Sequence, residues 1–129
     1  MTQSTQISRD TALSTVSRYL EAIAEATSPS QIAALYTDDA TVEDPVGSEP
    51  VRGKDAIAAF FAPLTQSQRD TELLNFRHCG DSAAFHFRVR THTPDGVVEI
   101  EPLDVMTFTT DGLISSAKAY WSPEDVRMD

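Results

Sequence analysis

From Ser8 onward, apolar residues recur at intervals of three and four: Ala12, Val16, Tyr19 and Ile23, with Leu13 and Leu20 widening the same stripe. That spacing marks an amphipathic helix with one buried face, and it predicts helix from Arg9 to Ala26. Thr27-Ser28-Pro29-Ser30 interrupts the pattern. Serine followed by proline suits the start of a second helix, which runs through Ile32, Ala33 and Leu35 to Tyr36. Ala40-Thr41-Val42-Glu43-Asp44 then alternates small or apolar with polar residues and stops at Pro45, which has no ladder N–H, so it reads as a short strand. Val46 to Pro50 is a loop, and Gly53-Lys54-Asp55 opens a third and last helix through Ile57, Phe60, Phe61 and Leu64.

From Thr71 the period changes to two, with turn signals at Gly80-Asp81, Pro94-Asp95-Gly96 and Asp111-Gly112. Asp-Gly supplies the positive backbone angles that a tight hairpin requires, so four strands follow as a meander, over 71–79, 82–92, 97–109 and 113–121. Helices first and strands second give an α+β fold, with three N-terminal helices packed on the concave face of an antiparallel or mixed sheet. No repeat, linker or low-complexity tract breaks the chain, and residues 1–129 form a single domain.

The composition narrows the partners. Forty per cent hydrophobic residues in 129 are enough for a core. Ten Lys and Arg against 20 Asp and Glu leave a formal charge of -10, which repels phosphate backbones and anionic lipid and argues against nucleic acid. Cys79 is the single cysteine; it has no partner for an internal disulfide and fits a reducing compartment. Met1 to Thr15 is polar, without a basic start or apolar run, and no stretch reaches the roughly 20 apolar residues of a membrane span. A cytoplasmic protein that does not engage membranes is expected.

Two aspartates sit where apolar residues belong. Along the strand predicted over 97–109, one face carries Val98, Ile100, Pro102, Asp104, Met106 and Phe108. If that face lines the core, Asp104 loses hydration without a local cation, and desolvation favours its neutral form, a strong hydrogen-bond donor. The alternative is an aspartate that turns to an edge or pairs with Arg88 or Arg90 of the adjacent strand. Asp44 likewise points with Ala40 and Val42; at the rim of a cavity it suits a general base, and as a turn aspartate it accepts backbone hydrogen bonds around Pro45. Tyr19 lies inside the apolar stripe of the first helix, either as a packed core tyrosine or as a hydroxyl donor beside these carboxyls. Together the three would give one ionised carboxylate and two neutral donors in an apolar pocket, a set suited to proton transfer next to a carbonyl.

Ser17-Arg18-Tyr19-Leu20, Tyr36-Thr-Asp-Asp-Ala-Thr-Val-Glu-Asp-Pro, Gly53 with Ile57-Ala-Ala-Phe, Phe87-Arg-Val, Leu103-Asp-Val-Met-Thr-Phe and Ala119-Tyr-Trp-Ser closely resemble, in order and spacing, the bacterial ketosteroid isomerases (steroid Δ-isomerases) of the nuclear-transport-factor-2-like, or SnoaL-like, superfamily. The resemblance implies a cone-shaped fold around a deep apolar pit, usually in a homodimer formed through the sheets, and catalysis without metal or cofactor. It places the general base on Asp44, the oxyanion-hole tyrosine on Tyr19 and the protonated oxyanion-hole acid on Asp104, the arrangement known for that family. The implied reaction moves a proton from C4 to C6 of a Δ5-3-ketosteroid through a dienolate, giving the Δ4 isomer. Tyr36 matches one supporting tyrosine of the family, whereas Phe61 stands where another carries a hydroxyl. Tyr36, Phe60, Phe61, Phe85, Phe87, Met106, Phe108 and Trp121 are the candidate substrate-binding residues, the apolar ones among them forming the wall of the cavity.

Other chemistries fit less well. His78, His86 and His92 lack metal-ligand spacing, and the acidic run Asp38, Asp39, Glu43 and Asp44 lacks the glycine and glutamate of a calcium loop. Within the superfamily, an epoxide hydrolase would want an arginine between two buried aspartates and a dehydratase a pocket histidine, but Arg88 and His86 fall on the polar strand face. A carrier of steroid or lipid would have no use for Tyr19, Asp44 and Asp104 together, since unused buried carboxyls destabilise. Polyketide cyclases share the same cavity.

Overall fold

In the computed structural model, which describes residues 6–128, the first helix, α1 (Arg9–Glu25), buries the expected stripe of Ala12, Val16, Tyr19, Leu20 and Ile23 together with Thr15. The part of the leader reading that rests on residues 1–5 lies outside the described residues. Ser8 caps α1, its hydroxyl accepting the Thr11 N–H at 3.0 Å and satisfying one of the helix's free donors. Helix α2 (Pro29–Ala33) starts at the anticipated serine and proline, with the Ser28 N–H donating to Gln31 Oε1 at 3.0 Å.

Beyond α2 the chain departs from its local pattern. Tyr36 is the first residue of strand β1 (Tyr36–Glu43), not the last of a helix, and the strand begins four residues before Ala40. The reason is non-local: β1 runs parallel to β7 (Ile114–Tyr120), with Tyr36 opposite Ile114 and Glu43 opposite Lys118. The predicted loop over Val46 to Pro50 is followed by a two-residue strand, β2 (Val51–Arg52), that pairs with Val42 and Thr41. Helix α3 (Lys54–Phe61) ends earlier than expected, passing into a 3-10 turn over Ala62–Gln66 at Pro63, whose ring and missing N–H do not continue an α-helix.

The meander is present as β3 (Gln68–Cys79), β4 (Ser82–Thr93), β5 (Gly96–Ile100), β6 (Leu103–Phe108) and β7. The strand expected over 97–109 is therefore two strands, interrupted at Glu101-Pro102, where proline withdraws a ladder donor. Both halves lie along the same edge of β4, β5 against Val89–Thr93 and β6 against Ser82–His86, while β3 covers the other edge. A further strand, β8 (Val126–Met128), pairs with β5 after a 3-10 turn at Pro123–Asp125. The eight strands form one mixed sheet, since β1 and β7 are parallel and every other pair is antiparallel.

On β4, Ala83, Phe85, Phe87 and Val89 face the helices and are buried. The outer face carries charge: Arg88 pairs with Glu72 at 2.8 Å and Glu101 at 3.0 Å, and Arg90 with Glu99 at 2.8 Å. α1 packs across β3 and is pinned to the β6–β7 turn, where the Thr15 hydroxyl donates to the Gly112 carbonyl at 2.7 Å. Gly112 has φ 86°, and a Cβ there would stand 3.3 Å from the Thr11 methyl, so the turn needs glycine on both counts. No helix among the described residues is long and apolar enough to cross a membrane.

Candidate active site

The parallel pairing of β1 and β7 brings the C-terminal ends of both strands to the same end of the sheet. Asp44 follows β1 and precedes a cis proline, Trp121 follows β7, and the indole Nε1 donates to Asp44 Oδ1 at 2.6 Å. Half-burial raises the Asp44 carboxyl above its ordinary 3.8, and the indole hydrogen bond opposes that rise by favouring the ionised form. One oxygen is thus held in place while the other remains available to carry a proton.

Tyr19 is set by packing. Its ring stands edge-on to Phe85 and Phe87, with centroids 6.3 Å from each, and the residue is 5% exposed. Burial, followed by the nearby Tyr36, Asp104 and Asp44, pushes the Tyr19 phenol well above its usual range. It is a neutral hydroxyl donor at any physiological pH.

Asp104 occupies the buried face of β6 with Met106 and Phe108 and is 3% exposed. Arg88 and Arg90 are committed to glutamates on the opposite face, so the ion-pair alternative does not occur. Asp104 Oδ1 has no hydrogen-bond partner among the described residues. Burial first, and the charge of Asp44 second, raises this carboxyl well above its ordinary value and favours the neutral acid. The two aspartates are therefore unlike: one half-buried and supported by an N–H donor, the other buried with its Oδ1 unpartnered among the described residues.

Tyr19, Asp44 and Trp121 line a cavity of about 200 Å3, walled by Ile23, Phe61, Leu64, Phe87 and Val89 and completed by Thr91, Ile100 and Pro102. Of the wall candidates, Phe61, Phe87 and Trp121 are on this surface. Phe60 is not: it is 38% exposed, because it neighbours Phe61 on α3 and successive helical residues point about 100° apart. Phe85, Met106 and Phe108 lie in the core behind the cavity, as does Tyr36, whose hydroxyl has no hydrogen-bond partner among the described residues. Asp104 also sits behind the lining, close enough to Tyr19 and Asp44 for their charges to interact. Six lining residues were not among the wall candidates, namely Ile23, Leu64, Val89, Thr91, Ile100 and Pro102, although Ile23 is one helical turn beyond Tyr19 and Val89 shares a strand face with Phe87. Among the described residues no group of three or more His, Cys, Asp or Glu is arranged to hold a metal ion.

The SnoaL-like domain family matches residues 16–117. A steroid Delta-isomerase of Nocardioides simplex is 50% identical over 111 residues, spanning 86% of this chain and 89% of that protein. Among solved structures, the epoxide hydrolase/cyclase-like enzyme SalBIII, described in pyran ring formation in the polyether salinomycin, superposes with a TM-score of 0.85 at 25% identity, over 93% of this chain and 97% of its own. RV0760c from Mycobacterium tuberculosis superposes over the full length of both chains with a TM-score of 0.83 at 19% identity, which speaks to the fold alone. With a family match over most of its length, the α+β cone and 50% identity to a steroid Delta-isomerase, this chain belongs to the SnoaL-like (NTF2-like) superfamily as a member of the ketosteroid isomerase family.

Proposed function

We propose that the protein is a steroid Δ5-isomerase that converts Δ5-3-ketosteroids to their Δ4 isomers without a cofactor. The observation that carries this reading is the half-buried Asp44 and the buried Tyr19 on one apolar cavity, with the buried Asp104 behind its lining and within electrostatic reach of both. Asp44 takes a proton from C4, the electrons move toward O3 to form a dienolate, and the proton is returned at C6. Tyr19 and Asp104 donate to O3, and their hydrogen bonds strengthen as negative charge develops there, so they stabilise the transition state more than bound substrate. Pairs of carboxyls driven apart in pKa by their surroundings are the recognised way for one site to supply both acid and base near neutral pH.

The cavity of about 200 Å3 is smaller than the roughly 300–1,000 Å3 of pockets that enclose a drug-sized ligand. A steroid therefore inserts its reacting end against Asp44 and Tyr19, and its far rings extend outward over apolar wall. The epoxide hydrolase/cyclase chemistry of the SalBIII enzyme is the less favoured reading, because the arginine such a reaction would place between two aspartates is turned to the outer face here. The protein acts as a homodimer through that outer face, where the Cα-paired Leu103 and Tyr120 are 43% and 47% exposed. Cys79, exposed and free, supports a reducing, cytoplasmic setting.

The test is the ultraviolet appearance of the conjugated enone when purified protein meets a Δ5-3-ketosteroid, with Asp44→Asn beside it. Rapid turnover that disappears in the variant is expected. Saturable steroid binding with no turnover would overturn the isomerase reading and move the function to a carrier or to a cyclase or dehydratase of the same fold.

A further inference from the structure

Arg69 is 7% exposed on β3, and among the described residues none of its hydrogen bonds goes to a carboxylate. Its guanidinium is held instead by four backbone carbonyls. Nε donates to Ile23 at 2.7 Å, Nη2 to Ala26 at 3.0 Å, and Nη1 to Leu64 and to Ser67, the latter at 3.0 Å. Ile23 and Ala26 belong to the C-terminal end of α1, where carbonyls lack helical partners and the helix dipole favours positive charge. α1 has no basic residue in its own last turn, so β3 supplies the cation from outside the helix. Leu64 and Ser67 belong to the 3-10 turn and its exit.

Two of these four residues have a second role. Ile23 and Leu64 line the cavity, and their carbonyls are gripped by one rigid, planar group. Ile23 is also one helical turn beyond Tyr19. The next position on the same strand face reinforces the grip, since the Thr71 hydroxyl donates to the Leu20 carbonyl at 2.9 Å. We propose that Arg69 is a positioning residue of the binding cavity: by fastening α1 and the 3-10 turn to one guanidinium plane, it sets the separation of the Ile23 and Leu64 walls between which an apolar ring is received. Lysine cannot replace it fully, because an ammonium is a point charge with three donors and no planar fork. The kinetic part of the inference rests on the isomerase reading; the binding part does not.

Arg69→Lys and Arg69→Met are compared with wild type in the full-length chain, below the melting temperature of each and with folding checked by circular dichroism. Affinity for 2-naphthol, a flat phenol that offers an apolar ring and one hydroxyl, is read by fluorescence, and KM and kcat are read with a Δ5-3-ketosteroid. The expected result is a naphthol Kd and a KM raised about tenfold in Arg69→Met and less in Arg69→Lys, with kcat changed much less, the pattern of lost ground-state binding. Unchanged Kd and KM alongside a lower melting temperature would reduce Arg69 to a fold stabiliser and overturn the proposal, as would a loss confined to kcat. If Arg69→Met does not fold, Arg69→Lys, which keeps the charge and most of the stem, decides by the same two constants. If wild type shows no turnover, the isomerase reading fails, and the naphthol titration by itself decides the role of Arg69.

Discussion

The Trp121 indole N–H and Asp44 Oδ1 meet at 2.6 Å across 77 residues of sequence. Neither residue lies inside a strand, and the contact exists because β1 and β7 end side by side. It fixes the orientation of the carboxylate assigned as base and opposes the rise in pKa that burial imposes on it. Trp121 is thus both cavity wall and hydrogen-bond donor to the proposed base, a role that its aromatic character alone does not suggest.

Trp121→Phe keeps the wall and removes the donor. The hydrogen bond favours ionised Asp44, so its loss raises the Asp44 pKa further above 3.8. The base works only when ionised. The acid limb of kcat/KM therefore moves to higher pH, while the plateau at high pH falls less than in Asp44→Asn. A pH–rate profile of the two variants against wild type checks both statements.

Asp44→Asn removes the proposed proton carrier and leaves cavity shape nearly intact. Turnover falls by at least the roughly 10²–10⁴-fold contributed by a positioned base, and affinity for 2-naphthol stays close to wild type. Turnover comparable to wild type would take Asp44 out of the mechanism.

Asp104→Ala deletes one of the two donors proposed for the developing oxyanion. Loss of one such donor weakens transition-state stabilisation by about 3 kcal/mol, read as a drop in kcat with a much smaller change in KM. An unchanged kcat would mean that Tyr19 alone holds the oxygen.

The same residue links stability to pH. In the unfolded chain Asp104 releases its proton near the ordinary 3.8, whereas the folded protein retains it to higher pH. Between those two values the native state binds more protons, so this group's contribution is full below the lower value and is lost as pH rises through the higher one. The melting temperature of wild type should fall relative to that of Asp104→Asn as pH rises from about 4 to about 8. Parallel curves for the two proteins would show that the Asp104 pKa is unshifted by folding.

Tyr36 offers a test of the core behind the site. Its hydroxyl is buried without a hydrogen-bond partner among the described residues, and the Phe61 ring, with centroid 6.5 Å from its own, has no hydroxyl to give. An unsatisfied buried donor costs about 1–3 kcal/mol. Tyr36→Phe is therefore expected to unfold at a higher denaturant concentration than wild type. A lower midpoint would reveal a partner for this hydroxyl in solution.

What the sequence determined by itself was local. The stripe from Ala12 to Ile23, the serine-proline start of α2, the hairpin turns and the period-two alternation each express a regularity between residues a few positions apart, and the structure follows them closely. The isolation of Asp104 between Met106 and the apolar positions before it was legible for the same reason: strand alternation assigns a face without knowledge of what lies opposite. What the tertiary structure alone decided depends on segments far apart in the chain. Parallel pairing with β7 drew Tyr36 out of a helix and into β1, and carried Trp121 to Asp44. The packing of α3 against β1 turned Phe61, and not its neighbour Phe60, toward the cavity. Arg69 reaches the Ile23 and Ala26 carbonyls, 46 and 43 residues away, only because α1 packs across β3. Periodicity encodes which face a residue takes, but a hydrogen bond between distant segments requires their docking, and no local pattern records that partner.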